Sequence, residues 1–310
     1  MIFKRLSIAI VFIAICTIPA LAGVKKTSKT KAHKPAVAKS ASALKPAPQP
    51  PGPAYAQRAD AVALADEIAS EHGLEREAVR RLIAQARYQS QVAKAIQPPP
   101  SGTLKNWSAY RARFIEPLRI RAGVRFWQAN HDNLVRVERE TGVPAAIIVG
   151  ILGVESIYGQ QMGQFAVLDT LVTLALDFPT SHPKATARAA YFRGELGQFL
   201  AYCQRSGQDP SRVLGSFAGA MGMAQFMPSS LAKYAVDGDG DGNTDLGHSA
   251  ADAIRSVANY FKAYGWTPGL PTHYTVHFDQ ARLDKAALLA PDILPSFSVA
   301  DFSAKGAVLD

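Results

Sequence analysis

The chain has 310 residues, with 34 lysines and arginines, 25 aspartates and glutamates, and two cysteines. A hydrophobic fraction of 48% with 19% charged residues excludes a wholly disordered protein, and two cysteines exclude a disulfide scaffold or a Cys-rich metal cluster. Ten basic and no acidic residues precede Asp60, which leaves 24 basic against 25 acidic residues in the remainder. The formal charge of +9 therefore belongs to the N-terminal segment and indicates no nucleic-acid partner.

The first 22 residues have the pattern of an export signal. Lys4 and Arg5 precede an apolar stretch of about a dozen residues, and small residues surround Leu21. We expect a cleavable secretory signal over residues 1–22 and a periplasmic location for the mature protein. An uncleaved anchor is the alternative, although the stretch is shorter than the about 20 apolar residues that span a bilayer.

Residues 23–55 are rich in lysine, proline and alanine and contain almost nothing apolar enough to pack. This composition predicts a disordered, partly extended linker. The linker is either a simple spacer or a weak electrostatic contact with anionic lipid or cell-wall polymer.

From Asp60 onward the hydrophobic periodicity is helical, and alternating β-branched runs are scarce. The chain is therefore predicted to be mainly α. Residues 56–140 are expected to form an N-terminal helical region, which includes one helix from Val124 to Glu140. Cys203 is expected to be a small buried apolar residue rather than a nucleophile.

A second unit is expected over residues 141–275, and its first helix is unusual. The segment from Ala145 to Val154 has no polar side chain, which predicts a helix buried on all sides. Gly150 and Gly153 would let another backbone approach closely. Glu155 follows directly, and a carboxyl at the end of a buried helix is expected to have a pKa raised towards neutrality, as a general acid requires. The alternative is a glutamate that reaches water or caps the helix.

Glu195 lies on or beside the apolar face of the helix from Tyr191 to Tyr202 and is a second candidate carboxylate. A buried glutamate held by an arginine is the interpretation that we favour.

The stretch from Gly215 to Ser230 contains small residues, one glutamine and several hydroxyls. Such a composition suits one side of a binding cleft, where a ligand comes close to the backbone, although a tight helix-packing turn is the simpler interpretation.

The segment from Asp237 to Asp245 matches the beginning of an EF-hand calcium loop, with acidic residues at positions 1, 3, 5 and 9 and glycine at position 6. Position 12 is His248 instead of glutamate, so Asp252 is expected to close a longer loop over residues 237–252. A solvated acidic turn is the alternative. The predicted ligands are Asp237, Asp239, Asp241, Asn243, Asp245 and Asp252.

Four segments together resemble the lytic murein transglycosylase B family, over roughly Tyr55 to Trp266. They are Gly153 to Gly159, Gly215 to Ser230, Asp237 to Asp245, and Ser256 to Phe261. The resemblance implies a lysozyme-like catalytic core and cleavage of the MurNAc–GlcNAc bond of peptidoglycan.

The resemblance also implies roles for individual residues. Glu155 would be the catalytic acid and base, while Ser216, Gln225 and Tyr260 would line the glycan cleft. Arg188 matches one of two adjacent family arginines, and the other is Ala187 here. Calcium would be structural, and no organic cofactor is expected. The expected partners are peptidoglycan strands and cell-wall synthesis or hydrolysis proteins, and the protein is expected to be monomeric.

The family's C-terminal tyrosine-containing segment has no recognisable counterpart after Thr267, so residues 276–310 are expected to be an incomplete region.

The expected reaction needs only one carboxyl from the protein, Glu155, if the substrate supplies the other groups. The MurNAc N-acetyl group would stabilise the charge at C1, and the MurNAc C6 hydroxyl would attack C1, which gives 1,6-anhydroMurNAc ends. A hydrolytic muramidase with Glu195 or Asp169 as a second carboxylate is one alternative. A non-catalytic murein-binding protein is the other.

Overall fold

The computed structural model describes residues 52–98, 106–290 and 296–309. The predicted signal peptide and residues 23–51 of the predicted linker lie outside these described residues. Within the described part of the chain, no helix has both the length and the apolar character that crossing a bilayer requires.

The described residues form thirteen helices and four short strands, in agreement with the helical periodicity of the sequence. The helices before the apolar segment are α1 (Ala59–His72), α2 (Arg76–Gln85), α3 (Ser90–Ala95), α4 (Trp107–Arg111), α5 (Pro117–Ala129) and α6 (His131–Thr141). The later helices are α7 (Ala145–Ser156), α8 (Val167–Leu176), α9 (Ala185–Ser206), α10 (Pro228–Tyr234), α11 (Ala250–Ala263), α12 (Lys285–Leu289) and α13 (Val299–Ala304).

The four strands form two antiparallel pairs. In the first, β1 (Phe165–Ala166) pairs with β2 (Leu214–Gly215), and in the second β3 (Val276–Phe278) pairs with β4 (Ala307–Leu309). The first pair joins the segment after α7 to the segment after α9.

Local chemistry explains where several helices begin and end. Helix α1 ends at Gly73, whose φ of 63° is a left-handed conformation that glycine adopts without strain. Helix α2 begins after Glu75, whose carboxylate accepts two backbone N–H groups of the first turn. Helix α5 has Pro117 in its first turn, and Glu116 caps it in the same manner.

The predicted single helix from Val124 to Glu140 is wrong, because the chain breaks at Asn130 into α5 and α6. Asn130 leaves the helical conformation, and its side-chain Nδ2 donates a hydrogen bond of 2.9 Å to the carbonyl of Phe126. An asparagine that bonds to nearby backbone competes with helix continuation, which apolar periodicity alone does not reveal.

The folded part of the chain begins before the end of the predicted linker. Gly52 donates a backbone hydrogen bond of 2.9 Å to the carbonyl of Tyr88, and Tyr55 is only 2% exposed. The Tyr55 hydroxyl donates to Asp177 at 2.7 Å, and Arg58 forms an ion pair with the same carboxylate at 2.6 Å. The predicted linker boundary at residue 55 is therefore too late, since residues 52–55 belong to the fold.

One hydrophobic core extends through the early and the late helices. Helix α1 packs on α9, α3 on α8, α5 on α7, and α6 on α11. Residues 56–140 and residues 141–275 therefore share one core, and the two predicted regions do not have separate cores. Cys203 is buried in this core, as expected for a small apolar residue.

Candidate active site

Glu155 lies in the last turn of α7 and is half-buried. Burial raises the pKa of its carboxyl from 4.5 to about 7, and no neighbouring charge contributes to this shift. Within the described residues, no hydrogen bond or ion pair holds this carboxyl. The side chain is thus a desolvated acid that would keep its proton near neutral pH.

The chain reverses sharply after this acid. Ile157 and Tyr158 have φ values of 50° and 55°, which are left-handed conformations that side chains other than glycine seldom adopt. The Ser156 hydroxyl fixes the turn, because it donates to the carbonyl of Met223 at 2.6 Å and accepts the N–H of Gly159 at 3.0 Å. Strain held by surrounding hydrogen bonds is common at functional sites.

The reversed turn inserts the Tyr158 side chain between α5 and α7. A Cβ added to Gly153 would lie 2.4 Å from the Tyr158 hydroxyl, and one added to Gly123 would lie 2.5 Å from it. The sequence predicts that another backbone packs closely against Gly153, whereas in the structure the Tyr158 side chain packs there. Gly150 is exposed with nothing nearby, so the prediction that α7 is buried on all sides is also wrong.

Gln225 joins the second predicted segment to the turn that follows Glu155. Its φ is 50°, and its side-chain Nε2 donates to the carbonyls of Met162 at 3.1 Å and Gly222 at 2.9 Å. The amide oxygen of Gln225 makes no hydrogen bond within the described residues. It remains an acceptor for a ligand N–H or O–H group.

Ser216 lies at the beginning of the same segment and is 8% exposed. Its Oγ accepts the backbone N–H groups of Ala218 at 3.2 Å and Ala220 at 3.0 Å, which stabilises the glycine-rich turn. Because Oγ acts as an acceptor in both bonds, the Ser216 hydroxyl can still donate its own proton in a hydrogen bond to a ligand.

Tyr260 is half-buried on α11 and connects to the glycine-rich segment through an aromatic cluster. Its ring centroid lies 5.6 Å from that of Phe226 and 4.5 Å from that of Tyr264. Tyr260 thus packs against the segment that contains Ser216 and Gln225, and Ser156, the neighbour of Glu155 in the chain, donates a hydrogen bond to Met223 in the same segment.

Arg188 occupies the first turn of α9, and its charge acts on His182 and Tyr191. Its place in the cleft stays a prediction.

The two candidate second carboxylates make structural hydrogen bonds. Glu195 is buried and accepts the Ser229 N–H at 2.8 Å and the Ser229 hydroxyl at 2.6 Å, so the expected arginine partner is wrong. Asp169 accepts the N–H of Arg87 at 3.0 Å and Gln89 Nε2 at 2.9 Å. Neither affects the pKa of the acid on α7.

Three of the six predicted calcium ligands converge. One carboxylate oxygen from each of Asp237, Asp239 and Asp252 lies within 4.8 Å of the other two. Asp252 is 1% exposed and accepts the N–H groups of Gly238 at 2.7 Å and Asp245 at 2.6 Å. Carboxylate oxygens at this spacing suit a hard cation such as Ca²⁺.

The carboxylates of Asp241 and Asp245 are not part of this group. Asp241 accepts the N–H of Asn243 at 2.7 Å, and the Asp245 carboxylate lies 2.8 Å from His248 Nδ1. The longer loop that Asp252 would complete and the set of six ligands stay predictions.

Residues 56–307 match the family described as the transglycosylase SLT domain. The chain belongs to this family. It is 39% identical over 255 residues to the membrane-bound lytic murein transglycosylase B of Escherichia coli, a similarity that covers 76% of this chain and 68% of that protein.

Two solved structures are similar in both sequence and fold. The soluble lytic transglycosylase SltB1 from Pseudomonas aeruginosa is 36% identical, with 81% of each chain covered and a TM-score of 0.72. The Escherichia coli lytic transglycosylase Slt35 in complex with calcium is also 36% identical, with 83% of this chain and 78% of that chain covered and a TM-score of 0.69. These similarities confirm the predicted mainly helical, lysozyme-like transglycosylase fold.

The family match extends beyond the limit that we predicted. The sequence motifs placed the end of the resemblance near Trp266, whereas the match continues to residue 307 and includes β3 and β4. The earlier limit was wrong because it followed short motifs, and the later part of the chain contains none of them.

Sequence reasoning gave no role to Ser156 or Tyr158, although both stand in the segment that contains Glu155. Their roles depend on the left-handed turn, which directs one side chain to the glycine-rich segment and the other between two helices. The only sequence signal for these roles is that two polar residues, Glu155 and Ser156, directly follow the apolar run.

Proposed function

We propose that Glu155 is the single acid and base of this lytic transglycosylase, which cleaves the β-1,4 bond between MurNAc and GlcNAc in peptidoglycan. The observation that carries this proposal is the isolated, half-buried carboxyl with a pKa of about 7. Such a group is protonated in a useful fraction of molecules at neutral pH and can also act as a base.

In the first step, protonated Glu155 gives its proton to the glycosidic oxygen, and the C1–O bond breaks. The GlcNAc side leaves with a new C4 hydroxyl. The carbonyl oxygen of the MurNAc N-acetyl group stabilises the positive charge that develops at C1. The substrate therefore supplies the group that an enzyme nucleophile would otherwise supply.

In the second step, ionised Glu155 takes the proton of the MurNAc C6 hydroxyl while its oxygen attacks C1. A 1,6-anhydro bond forms, and Glu155 is protonated again for the next cycle. Because the attacking group belongs to the same sugar, its effective concentration is high and no carboxylate is needed to activate water.

The hydrolytic alternative requires a second carboxylate about 5–5.5 Å or about 6.5–9.5 Å from the first. Glu195 and Asp169 are the two candidates, and hydrogen bonds within the fold hold both of them. A carboxylate in this position would also add its charge to the environment of Glu155, whereas burial alone raises that pKa. These observations favour the mechanism with a single carboxyl.

The neighbouring residues would bind the sugars. The Gln225 amide oxygen would accept a sugar N–H or O–H group, and the Ser216 hydroxyl would donate to a sugar oxygen. Tyr260 would present an aromatic face to the glycan, held in place by the rings around it. Arg188 would contact an anionic part of the substrate.

A structural calcium ion would be held by Asp237, Asp239 and Asp252, with the rest of the loop supplying further oxygen atoms. Three convergent carboxylates repel one another unless a cation neutralises them. The Escherichia coli relative was solved in complex with calcium, which supports calcium as the cation. The ion would join the loop to the beginning of α11.

The protein would act in the periplasm after removal of residues 1–22, with the basic linker allowing contact with the membrane or the cell wall. The predicted signal and the murein substrate support this location. We propose a monomer that works on peptidoglycan strands and meets other cell-wall enzymes there.

Mass spectrometry of digested murein tests the proposed reaction. Anhydro ends are lighter by one water than the ends that hydrolysis makes, and we expect the protein to release only the lighter species. Hydrated MurNAc ends would instead establish the muramidase alternative. Binding to murein without released fragments would establish the non-catalytic alternative.

A further inference from the structure

An open cavity of about 270 Å³ lies between the C-terminal end of α9, helix α10 and the acidic loop that begins at Asp237. We call this cavity the α9–α10 pocket. The residues that line it include Tyr202, Arg205, Leu231, Ala235, Asn243 and Thr244. The pocket shares no lining residue with the candidate active site around Glu155.

The pocket lies at the opposite end of α9 from Arg188, which is the residue of that helix predicted to contact the substrate. Arg188 and Arg205 are 17 positions apart in one continuous helix. At about 1.5 Å per residue, this separation corresponds to about 25 Å along the helix axis. A ligand in the α9–α10 pocket would therefore be distinct from a ligand that contacts Arg188.

Three polar side chains of the pocket take no part in holding the fold together. Within the described residues, the side chains of Arg205, Asn243 and Thr244 make no hydrogen bond or ion pair. Tyr202 differs, because its hydroxyl accepts a hydrogen bond of 3.0 Å from Gln208 Nε2. A guanidinium, a carboxamide and a hydroxyl thus line one cavity with their donors and acceptors free for a ligand.

Hydrogen bonds fix the backbone on the loop side of the pocket. The Asp237 carboxylate accepts the N–H of Gly242 at 2.8 Å, and the Asp241 carboxylate accepts the N–H of Asn243 at 2.7 Å. Asn243 stands at position 7 of the calcium-loop pattern, where the backbone carbonyl binds the cation. The Asn243 side chain would consequently stay available to a ligand when calcium is bound.

The side of the pocket that α10 forms is apolar. Leu231 is 6% exposed, and Ala235 is half-buried one helical turn later. An apolar surface with a few polar groups around it is typical of small-molecule sites. The volume is slightly below the about 300–1,000 Å³ of pockets for drug-sized ligands, so the ligand should be no larger than about one sugar ring.

The charges near the pocket disfavour an anion. Among the described residues that line it, Arg205 is the only cation, and it lies in the last turn of α9, where the helix carbonyls carry partial negative charge. The acidic loop adds the carboxylates of Asp237, Asp239 and Asp241. These groups would repel an anion, whereas an uncharged ligand with hydroxyl and amide groups can use both the donors and the acceptors.

We propose that the α9–α10 pocket is a second saccharide-binding site that takes one uncharged N-acetylated sugar. The methyl group of the acetamide would pack on Leu231 and Ala235. The side chains of Arg205, Asn243 and Thr244 would bind the hydroxyl and carbonyl oxygen atoms. A glycan chain offers such sugars, so the pocket would hold one sugar while another part of the chain occupies the cleft. The proposal concerns binding alone and goes beyond the cleavage proposed above.

The probe is N-acetylglucosamine, titrated into isotope-labelled protein at a fixed calcium concentration. Amide NMR signals of Ala232, Gly242 and Thr244 report on the pocket, since these residues line it. The same sugar can also enter the cleft. A double variant with Gln225→Ala and Tyr260→Ala removes the proposed cleft contacts, so the signals that still move in it belong to the pocket.

We expect the sugar to move the three pocket signals equally in the wild type and in the double variant. Arg205→Ala should weaken this binding at least about tenfold, because hydrogen bonds from a charged group are the stronger ones. Thr244→Val should weaken it by about threefold. Arg139→Ala is the matched control and should bind as the wild type does, since Arg139 is an exposed arginine in the last turn of α6. Thermal unfolding checks that each variant is folded.

Three results would overturn the proposal. The first is that the sugar leaves the pocket signals where they are, whether or not the signals around Gln225 move. The second is unchanged binding in the folded variants Arg205→Ala and Thr244→Val, of which Thr244→Val alone decides if the other does not fold. The third is that inorganic phosphate, and not the sugar, moves the pocket signals, which would establish an anion site. Release of anhydro ends is measured separately, so failure of the proposed cleavage remains distinguishable from all three.

Discussion

Replacing Glu155 by glutamine should abolish activity and stabilise the protein at the same time. Glutamine has nearly the same size but cannot exchange a proton. General acid and base catalysis contribute about 10²–10⁴-fold in typical enzymes, and Glu155 would act in both steps, so we expect a loss of at least about 10³-fold.

The effect on stability follows from the raised pKa. In the unfolded chain this carboxyl ionises near pH 4.5, whereas in the folded protein it keeps its proton to about pH 7. The unfolded state therefore releases its proton first as the pH rises, and the wild type loses stability between about pH 4.5 and pH 7. A pKa difference of this size corresponds to about 3 kcal/mol.

Glutamine does not ionise, so Glu155→Gln does not lose stability through this side chain as the pH rises. The free energy of unfolding of the variant, relative to the wild type, should be larger at pH 8 than at pH 5 by about 2–3 kcal/mol. Urea unfolding at the two pH values measures this difference directly. Glu71→Gln controls for the removed charge, since Glu71 is exposed on α1.

Two results would refute the reasoning. If Glu155→Gln differs from the wild type by the same free energy at pH 5 and pH 8, the Glu155 carboxyl is not desolvated in the folded protein. If the variant keeps normal turnover, Glu155 is not the acid. A wild-type rate that fails to decline above about pH 7 would also contradict a protonated acid with this pKa.

Three further predictions follow from the same geometry. Gly153→Ala should destabilise the protein by about 1–3 kcal/mol in urea unfolding, because its Cβ would lie 2.4 Å from the Tyr158 hydroxyl, while Gly150→Ala has open space and should be neutral or slightly stabilising. Glu195→Gln should cost about 1–3 kcal/mol by disturbing the hydrogen bonds to Ser229, yet leave the anhydro product unchanged, whereas loss of turnover in folded protein would favour the muramidase alternative. Chelation of calcium should lower the melting temperature, and an unchanged melting temperature would contradict a bound ion.

The sequence by itself determined the helical class, and it predicted which residue is the acid and where the calcium loop lies. An apolar run that ends in Glu155 indicates that one side of the helix is buried, and burial by itself raises the pKa of the Glu155 carboxyl. The acidic spacing from Asp237 likewise predicts a loop around a cation, independent of how helices pack. These properties are local, so the order of residues is sufficient to predict them.

Only the tertiary structure decided which groups surround the acid. Gly153 admits the Tyr158 side chain instead of a backbone, and Glu195 meets Ser229 instead of an arginine. Helix α5 packs against α7, a pairing that the sequence does not predict. Such contacts join residues far apart in the chain, and the left-handed turn after Glu155 redirects side chains that helical periodicity would place elsewhere. Periodicity predicts which face of a helix is buried, but packing decides what that face meets.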